Sequence, residues 1–222
     1  MLTYSRIRRY ARVVKTIGKI RGRSTIWGFI DGTFQRFCRP NVGQKFYYSG
    51  YKKAHGMVWL AITCPDGLIG SVYGPCEGKI SDVTMLQKSG LFSRLRTLFG
   101  GKRKLFLYGD KAYIHQPHIM SPFLGYTNER QAYFNKRMSG ARIAVENSFG
   151  LTQNLWISNA FKAQMKSGLQ PVGNLYLVAV LLTNCYTCLR GNQIGSRFAM
   201  RPPSLSEYLQ VDSVSSDLES FT

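Results

Sequence analysis

The hydrophobic pattern alternates between two periods along the chain. Ile7, Tyr10, Val13, Val14 and Ile17 recur at spacings of three and four, with arginine and lysine between them, and predict an amphipathic helix within residues 1–23. From residue 25 the apolar positions close up. Ile26, Trp27, Phe29 and Ile30 read as a buried strand that ends on a carboxylate, Asp31, before Gly32 and Thr33. Residues 55–63 form a second strand around Met57 to Ile62. Pro65-Asp66-Gly67 is a hairpin turn, and residues 68–73 return antiparallel.

At Ser81 the period becomes helical again. Ser81 caps, Asp82 sits favourably in the first turn, and Leu86, Leu91, Leu95 and Leu98 continue to a stop at Gly100-Gly101. Residues 104–108 are a short apolar strand that also runs into a carboxylate, Gly109-Asp110. A helix follows over residues 128–150, with Asn128 as cap and Phe134, Met138, Ala141, Val145 and Phe149 on its apolar face. Residues 175–189 are apolar but shorter than the roughly 20 a spanning helix needs. Thr183 and Asn184 interrupt them, which predicts a buried core helix and no membrane partner. The last segment is serine-rich and acidic and is expected to be disordered. The expected organisation is a basic extension over 1–24, an α/β domain over 25–200 and a tail over 201–222.

Composition adds a partner. The 222 residues carry 30 Lys+Arg against 11 Asp+Glu, a net charge of +19, which calls for a polyanion, nucleic acid before membrane. Residues 1–23 hold no acid; Arg6, Arg8, Arg9 and Arg12, with Lys52 and Lys53 further on, are candidate DNA contacts. The basic N-terminus first suits a docking helix with a solvated basic face, and after it phosphate contact, a nuclear import signal or a mitochondrial presequence. Five cysteines fit a reducing compartment better than a disulfide framework. Cys185-x-x-Cys188 lacks the second pair that a zinc site needs.

Three acids stand out in this basic chain. Asp31 and Asp110 each follow an apolar strand; if those strands are parallel neighbours, both carboxylates meet at one sheet edge. Glu146 lies in RIAVENSF, an apolar stretch where an unpaired acid is costly, and Arg142 four residues earlier is its local partner. Carboxylates are the ligands that Mg²⁺ and Mn²⁺ prefer, and two such ions suit phosphodiester chemistry.

IDGT at 30–33, GDKAY at 109–113 and RIAVENSFG at 142–150 resemble the three signatures of the DDE endonucleases of PIF/Harbinger transposases. The spacing also fits, with 78 residues between Asp31 and Asp110 and 35 between Asp110 and Glu146. The block from Tyr47 to Leu86 is similar to the family's linking segment, and Asp82 matches an acid of that segment, with Ser81 replacing the family's histidine. The resemblance covers residues 25–190. It implies an RNase H-like fold, a mixed five-stranded sheet flanked by helices, with Asp31, Asp110 and Glu146 as catalytic ligands of two divalent cations, Mg²⁺ or Mn²⁺. For Asp82 a charge favourable at a helix start is sufficient explanation and the preferred one, with an accessory role at the site second. The implied reaction is hydrolytic cleavage at a transposon end, then attack of the freed 3′-hydroxyl on target DNA, in the nucleus, with a Myb-like helper protein and room for a homo-oligomer. Only 30 residues precede Asp31, which also fits a domesticated, non-cleaving DNA-binding protein that keeps the fold.

Overall fold

The computed structural model describes residues 2–21, 25–100, 105–114, 116–156 and 171–210, apart from the side chains of Ala144 and Val145. Helix α1 (Tyr4–Ile17) begins where Thr3 Oγ1 accepts the Arg6 N–H at 3.3 Å. It buries Ile7, Tyr10, Ala11 and Val14. The predicted stripe is thus confirmed for its first three turns, while Ile17 faces solvent. One buried carboxylate ties α1 to the hairpin between the second and third long strands. Asp66 Oδ2 accepts from Tyr10 Oη at 2.6 Å and from Arg6 Nη2 at 2.7 Å. Removing one partner of such a buried pair costs about 3–5 kcal/mol, so the Arg6 guanidinium is committed to the fold.

The sheet is built on β1 (Ile26–Arg36). After it come the single turn α2 (Gln44–Tyr47) and the two-residue β2 (Tyr48–Ser49). β3 (Ala54–Thr63) lies antiparallel to β1, and β4 (Ile69–Glu77) antiparallel to β3. β5 (Phe106–Tyr108) and β6 (Ile119–Met120) add parallel strands on the other side of β1. The long path reads β4-β3-β1-β5-β6, and β2 makes a sixth strand by pairing Ser49 with Ala54, where five were expected. The sheet is mixed, since β3 runs against β1.

β1 does not end at Asp31. Its ladder with β3 continues from Phe29↔Thr63 to Arg36↔Gly56. Gly32-Thr33 reads as a turn in isolation, but β3 is long enough to keep pairing it. The other edge behaves differently. β5 accompanies β1 only to Phe29↔Tyr108, so Asp31 lies just beyond the point where the two parallel strands part.

Helices flank the sheet. α3 (Asp82–Lys88) and α4 (Leu91–Phe99) replace the single helix expected, because Gly90 in the left-handed region (φ 64°) starts a new one. α5 (Glu129–Asn154) opens with a reciprocal capping box between Asn128 and Gln131. α5 packs on the face of β1 that carries Phe29 and Asp31: Ser148 bonds Thr63 at 2.8 Å, and Phe134 meets Tyr108 at 6.1 Å. α6 (Val172–Arg190) stacks Tyr176 on Trp59 at 4.7 Å.

The expected burial of α6 is only half right. Tyr176, Val180, Thr183 and Asn184 face inward, yet Val178 and Leu189 are 51% and 66% exposed. The segment's polar residues Thr183 and Asn184 lie on the covered face and apolar residues on the open one, so its sequence does not mark which face is covered. By length and composition α6 could cross a membrane. Within this fold its Asn184 exchanges hydrogen bonds with the Ile69 backbone, at 2.9 and 3.0 Å. α7 (Gln193–Arg197) and α8 (Leu205–Leu209) complete the order, and Phe198 after α7 stacks on Phe29 at 5.7 Å. Of the expected tail, residues 211–222 lie outside the described residues.

Candidate active site

The parting of β1 and β5 makes the site. Phe29 and Tyr108 are the last paired residues; two residues further on, the same alternation brings Asp31 and Asp110 to one face at neighbouring positions. GDKAY is a compact device for leaving the strand. Asp110 Oδ1 accepts the Ala112 N–H at 2.8 Å and caps a 3-10 turn over Lys111–Tyr113. The turn brings the Tyr113 ring back under Gly109, where a Cβ would lie 2.5 Å from Tyr113 Cδ2. A side chain at 109 would push that ring out, so the glycine serves a close approach.

Asp31 is 9% exposed. Its Oδ1 accepts the Gly32 N–H at 3.0 Å, and its Oδ2 accepts Arg142 Nη2 at 2.9 Å. Burial raises its carboxyl above the ordinary value, Arg142 offsets part of that, and the nearby Asp110 raises it further. Asp82 comes from the opposite face: its carboxylate fills the space that a Cβ on Gly32 would take. Burial, then Asp31 and Asp110, push the Asp82 carboxyl up to about 6, against smaller pulls from Lys52 and Arg142. An acid chosen in sequence for its helix-start position therefore also belongs to the acidic cluster. Ser81 Oγ caps the same helix by accepting the Thr84 N–H at 3.3 Å.

Glu146 is placed differently from the expectation. It is exposed on α5, and Arg142, its expected partner, reaches across to Asp31 instead. The long-range pair wins because Asp31 is buried and needs a counter-charge, whereas Glu146 is solvated. Among the described residues no three His, Cys, Asp or Glu side chains stand close enough to hold one ion. Asp31, Asp110 and Asp82 are brought together electrostatically; Glu146 is one helical turn from Arg142, outside that group.

Three buried polar atoms beside the acids have no hydrogen-bond partner among the described residues: Tyr108 Oη, Tyr113 Oη and Arg142 Nε. The Tyr113 phenol, fully buried, is pushed far up by burial and then by Asp82, Asp31 and Asp110. Tyr108 is pushed up to about 12 by burial, with Arg142 and Asp110 also felt. Both phenols stay protonated and are donors. Phenol donors left over around mutually repelling carboxylates fit a hydrated hard cation, and the acids offer it only oxygen ligands. Sequence reasoning missed both tyrosines, although Tyr113 is the last residue of the GDKAY motif. The other candidates are peripheral. Arg8, Arg9 and Arg12 are exposed on α1, and Lys52 and Lys53 are exposed before β3.

A mixed sheet flanked by helices, with acids gathered where its central parallel strands part, defines an α/β protein with a carboxylate site. Residues 30–184 match the model of the DDE superfamily endonucleases, and the chain belongs to that family. Its class is the nuclease and transposase type, with DNA as substrate and, in general, divalent metals as cofactors. No curated protein and no solved structure matches the chain.

Proposed function

We propose that the protein cleaves DNA strands, with Asp31, Asp110 and Glu146 as the residues that hold two Mg²⁺ or Mn²⁺ ions and Asp82 as an accessory acid. The observation that carries the reading is the strand fork: the family's two aspartates meet at one face, ringed by unpartnered donors. The ions would supply Lewis acidity and a water acidic enough to attack phosphorus. In hydrolysis the water oxygen bonds phosphorus, the bond from phosphorus to the 3′-oxygen breaks, and that oxygen leaves with a proton as a 3′-hydroxyl. The protein's own part is to hold Asp31 rigidly on β1 and Asp110 in the turn that follows β5, and to offer the buried Tyr113 and Tyr108 O–H groups to bound water. The path β4-β3-β1-β5-β6, with β3 reversed, supports an RNase H-like core of five strands. We place the chain in the PIF/Harbinger branch, with transposon ends as substrate and target joining by the freed 3′-hydroxyl. The same reading carries a nuclear location, a Myb-like helper protein, and 25–200 as the endonuclease domain between the basic extension and the acidic tail.

A second reading is a domesticated DNA-binding protein that no longer cuts. The Arg142–Asp31 pair and the solvated Glu146 favour it. Incubation of supercoiled plasmid with the full chain and Mn²⁺ separates the two. The nuclease reading expects nicked circles whose ends a polymerase can extend, absent with chelator and in Asp31→Asn. Wild type that binds without nicking supports the second reading. Nicking undiminished in Asp31→Asn contradicts the site.

A further inference from the structure

A large cleft lies apart from the carboxylates. About 860 Å³ opens between the end of α1, the start of β1, the segment after β6 and the first turns of α5. Its apolar surface comes from Val14, Ile26, Met120 and Phe134. Lys15, Arg21, Arg130 and Arg137 also line it, against one acid, Glu129. Such a surface suits an amphiphilic anion. A lone phosphate would leave the apolar part uncovered, and an apolar ligand would leave the cations unanswered.

The aromatic residues of the cleft are held in place. Arg21 and Arg137 each put a guanidinium 5.2 Å from the centre of the Tyr133 ring. Tyr133 Oη donates to the Lys19 carbonyl at 2.9 Å, which joins α5 to the chain after α1. Phe123 is 42% exposed at the mouth, yet its backbone is clamped. Its N–H donates to Asn135 Oδ1 at 3.0 Å, and its carbonyl accepts from Asn135 Nδ2 at 2.9 Å. The ring meets Phe134 edge-on at 5.6 Å. An exposed phenylalanine fixed this way is a preorganised stacking surface.

The cleft also communicates with the acids. Phe134 touches Tyr108, two residues before Asp110. On α5, Arg137 and Arg130 precede Arg142 by about 8 and 18 Å of helix rise, on the order of two to five nucleotides of strand.

We propose that this cleft takes an unpaired nucleobase of the DNA strand that leads to the carboxylate site, with Phe123 as the stacking surface and the arginines on the flanking phosphates. The proposal rests on the reading of that site as a DNA-cutting centre. The test uses the full chain in chelator, so that no cutting intervenes. It measures anisotropy on a single strand and on its duplex, and the fluorescence of 2-aminopurine within the single strand. The expected result is tighter binding of the single strand and a quenched probe. Phe123→Ser should weaken single-strand binding about tenfold, the worth of one base–aromatic stack. Duplex binding should stay within about twofold, since phosphate contacts carry it. Phe123→Tyr should restore the preference, and Tyr126→Ser, fully exposed and outside the cleft, should change nothing. Equal losses on both DNAs, or a probe indifferent to Phe123→Ser, overturns the proposal. So does an acidic amphipathic peptide that needs Phe123 when DNA does not. Nicking without single-strand preference sinks the cleft alone; single-strand preference without nicking sinks the nuclease reading alone.

Discussion

Replacing Tyr113 with phenylalanine removes one oxygen from the protein interior. The ring is fully buried, and its Oη has no hydrogen-bond partner among the described residues. An unsatisfied buried donor costs about 1–3 kcal/mol. Phenylalanine keeps the ring against Gly109, so no cavity opens to offset the gain. The metal-free variant should therefore be more stable than wild type by about 1–2 kcal/mol, or about 2–8 °C in Tm for a chain of this size. With saturating Mn²⁺ the order should narrow or reverse, because wild type then finds a partner for its phenol. Tyr10→Phe is the internal control. Tyr10 Oη donates to the buried Asp66 at 2.6 Å, so its loss should destabilise the protein with or without metal. Thermal melts of both variants, in chelator and in Mn²⁺, decide the matter. A Tyr113→Phe protein that melts below wild type in chelator would show that the phenol serves the fold, and the donor-shell argument would be wrong.

Two further outcomes follow from the acids. The Asp82 carboxyl is raised from 3.8 to about 6 in the folded protein, so between those values the native state binds more protons than the unfolded one. The Asp82 contribution to the stability of the metal-free protein should then be fully present below about pH 4 and be lost as pH rises through 6. Asp82→Asn should flatten that dependence by roughly 1 kcal/mol after allowance for partial exposure; pH-resolved urea melts that show no difference from wild type would refute the shift. Arg142→Gln leaves Asp31 buried without its counter-charge and should lower metal-free stability by about 2–3 kcal/mol. The same change should tighten Mn²⁺ binding, since the guanidinium no longer competes for Asp31. Weaker Mn²⁺ binding in calorimetry would instead make Arg142 part of the ion's support.

The features legible in sequence were those with local causes. Ser81 and Asn128 cap their helices because each side chain satisfies a backbone N–H three residues on. The hairpin at Pro65-Asp66-Gly67 forms where its turn chemistry predicts, with Gly67 at φ 89°. Tertiary pairing decided the rest. β1 runs through Gly32-Thr33 because β3 offers a continuous partner. Arg142 prefers buried Asp31 to its helical neighbour Glu146. Asp82 joins the acids because Gly32 has no side chain to exclude it. None of these can be read from spacing, since each depends on a residue about 30 to 110 positions away. The exposed side of α6 is illegible for another reason: its polar residues Thr183, Asn184 and Thr187 are buried while apolar Val178 and Leu189 are exposed, so polarity does not mark the solvent face.

The account stands on Asp31, Asp110 and Glu146 binding a shared pair of divalent ions, the two aspartates at the strand fork and Glu146 from the solvated side of α5. Electron paramagnetic resonance on the full chain titrated with Mn²⁺ reads it directly, because two ions that share a ligand give a spin-coupled spectrum distinct from a single ion. The account predicts a coupled pair in wild type, loss of the coupled signal in Asp31→Asn, and weakened binding in Asp110→Asn and Glu146→Gln. A spectrum of isolated ions at saturation, or a coupled signal that survives Asp31→Asn, would contradict it.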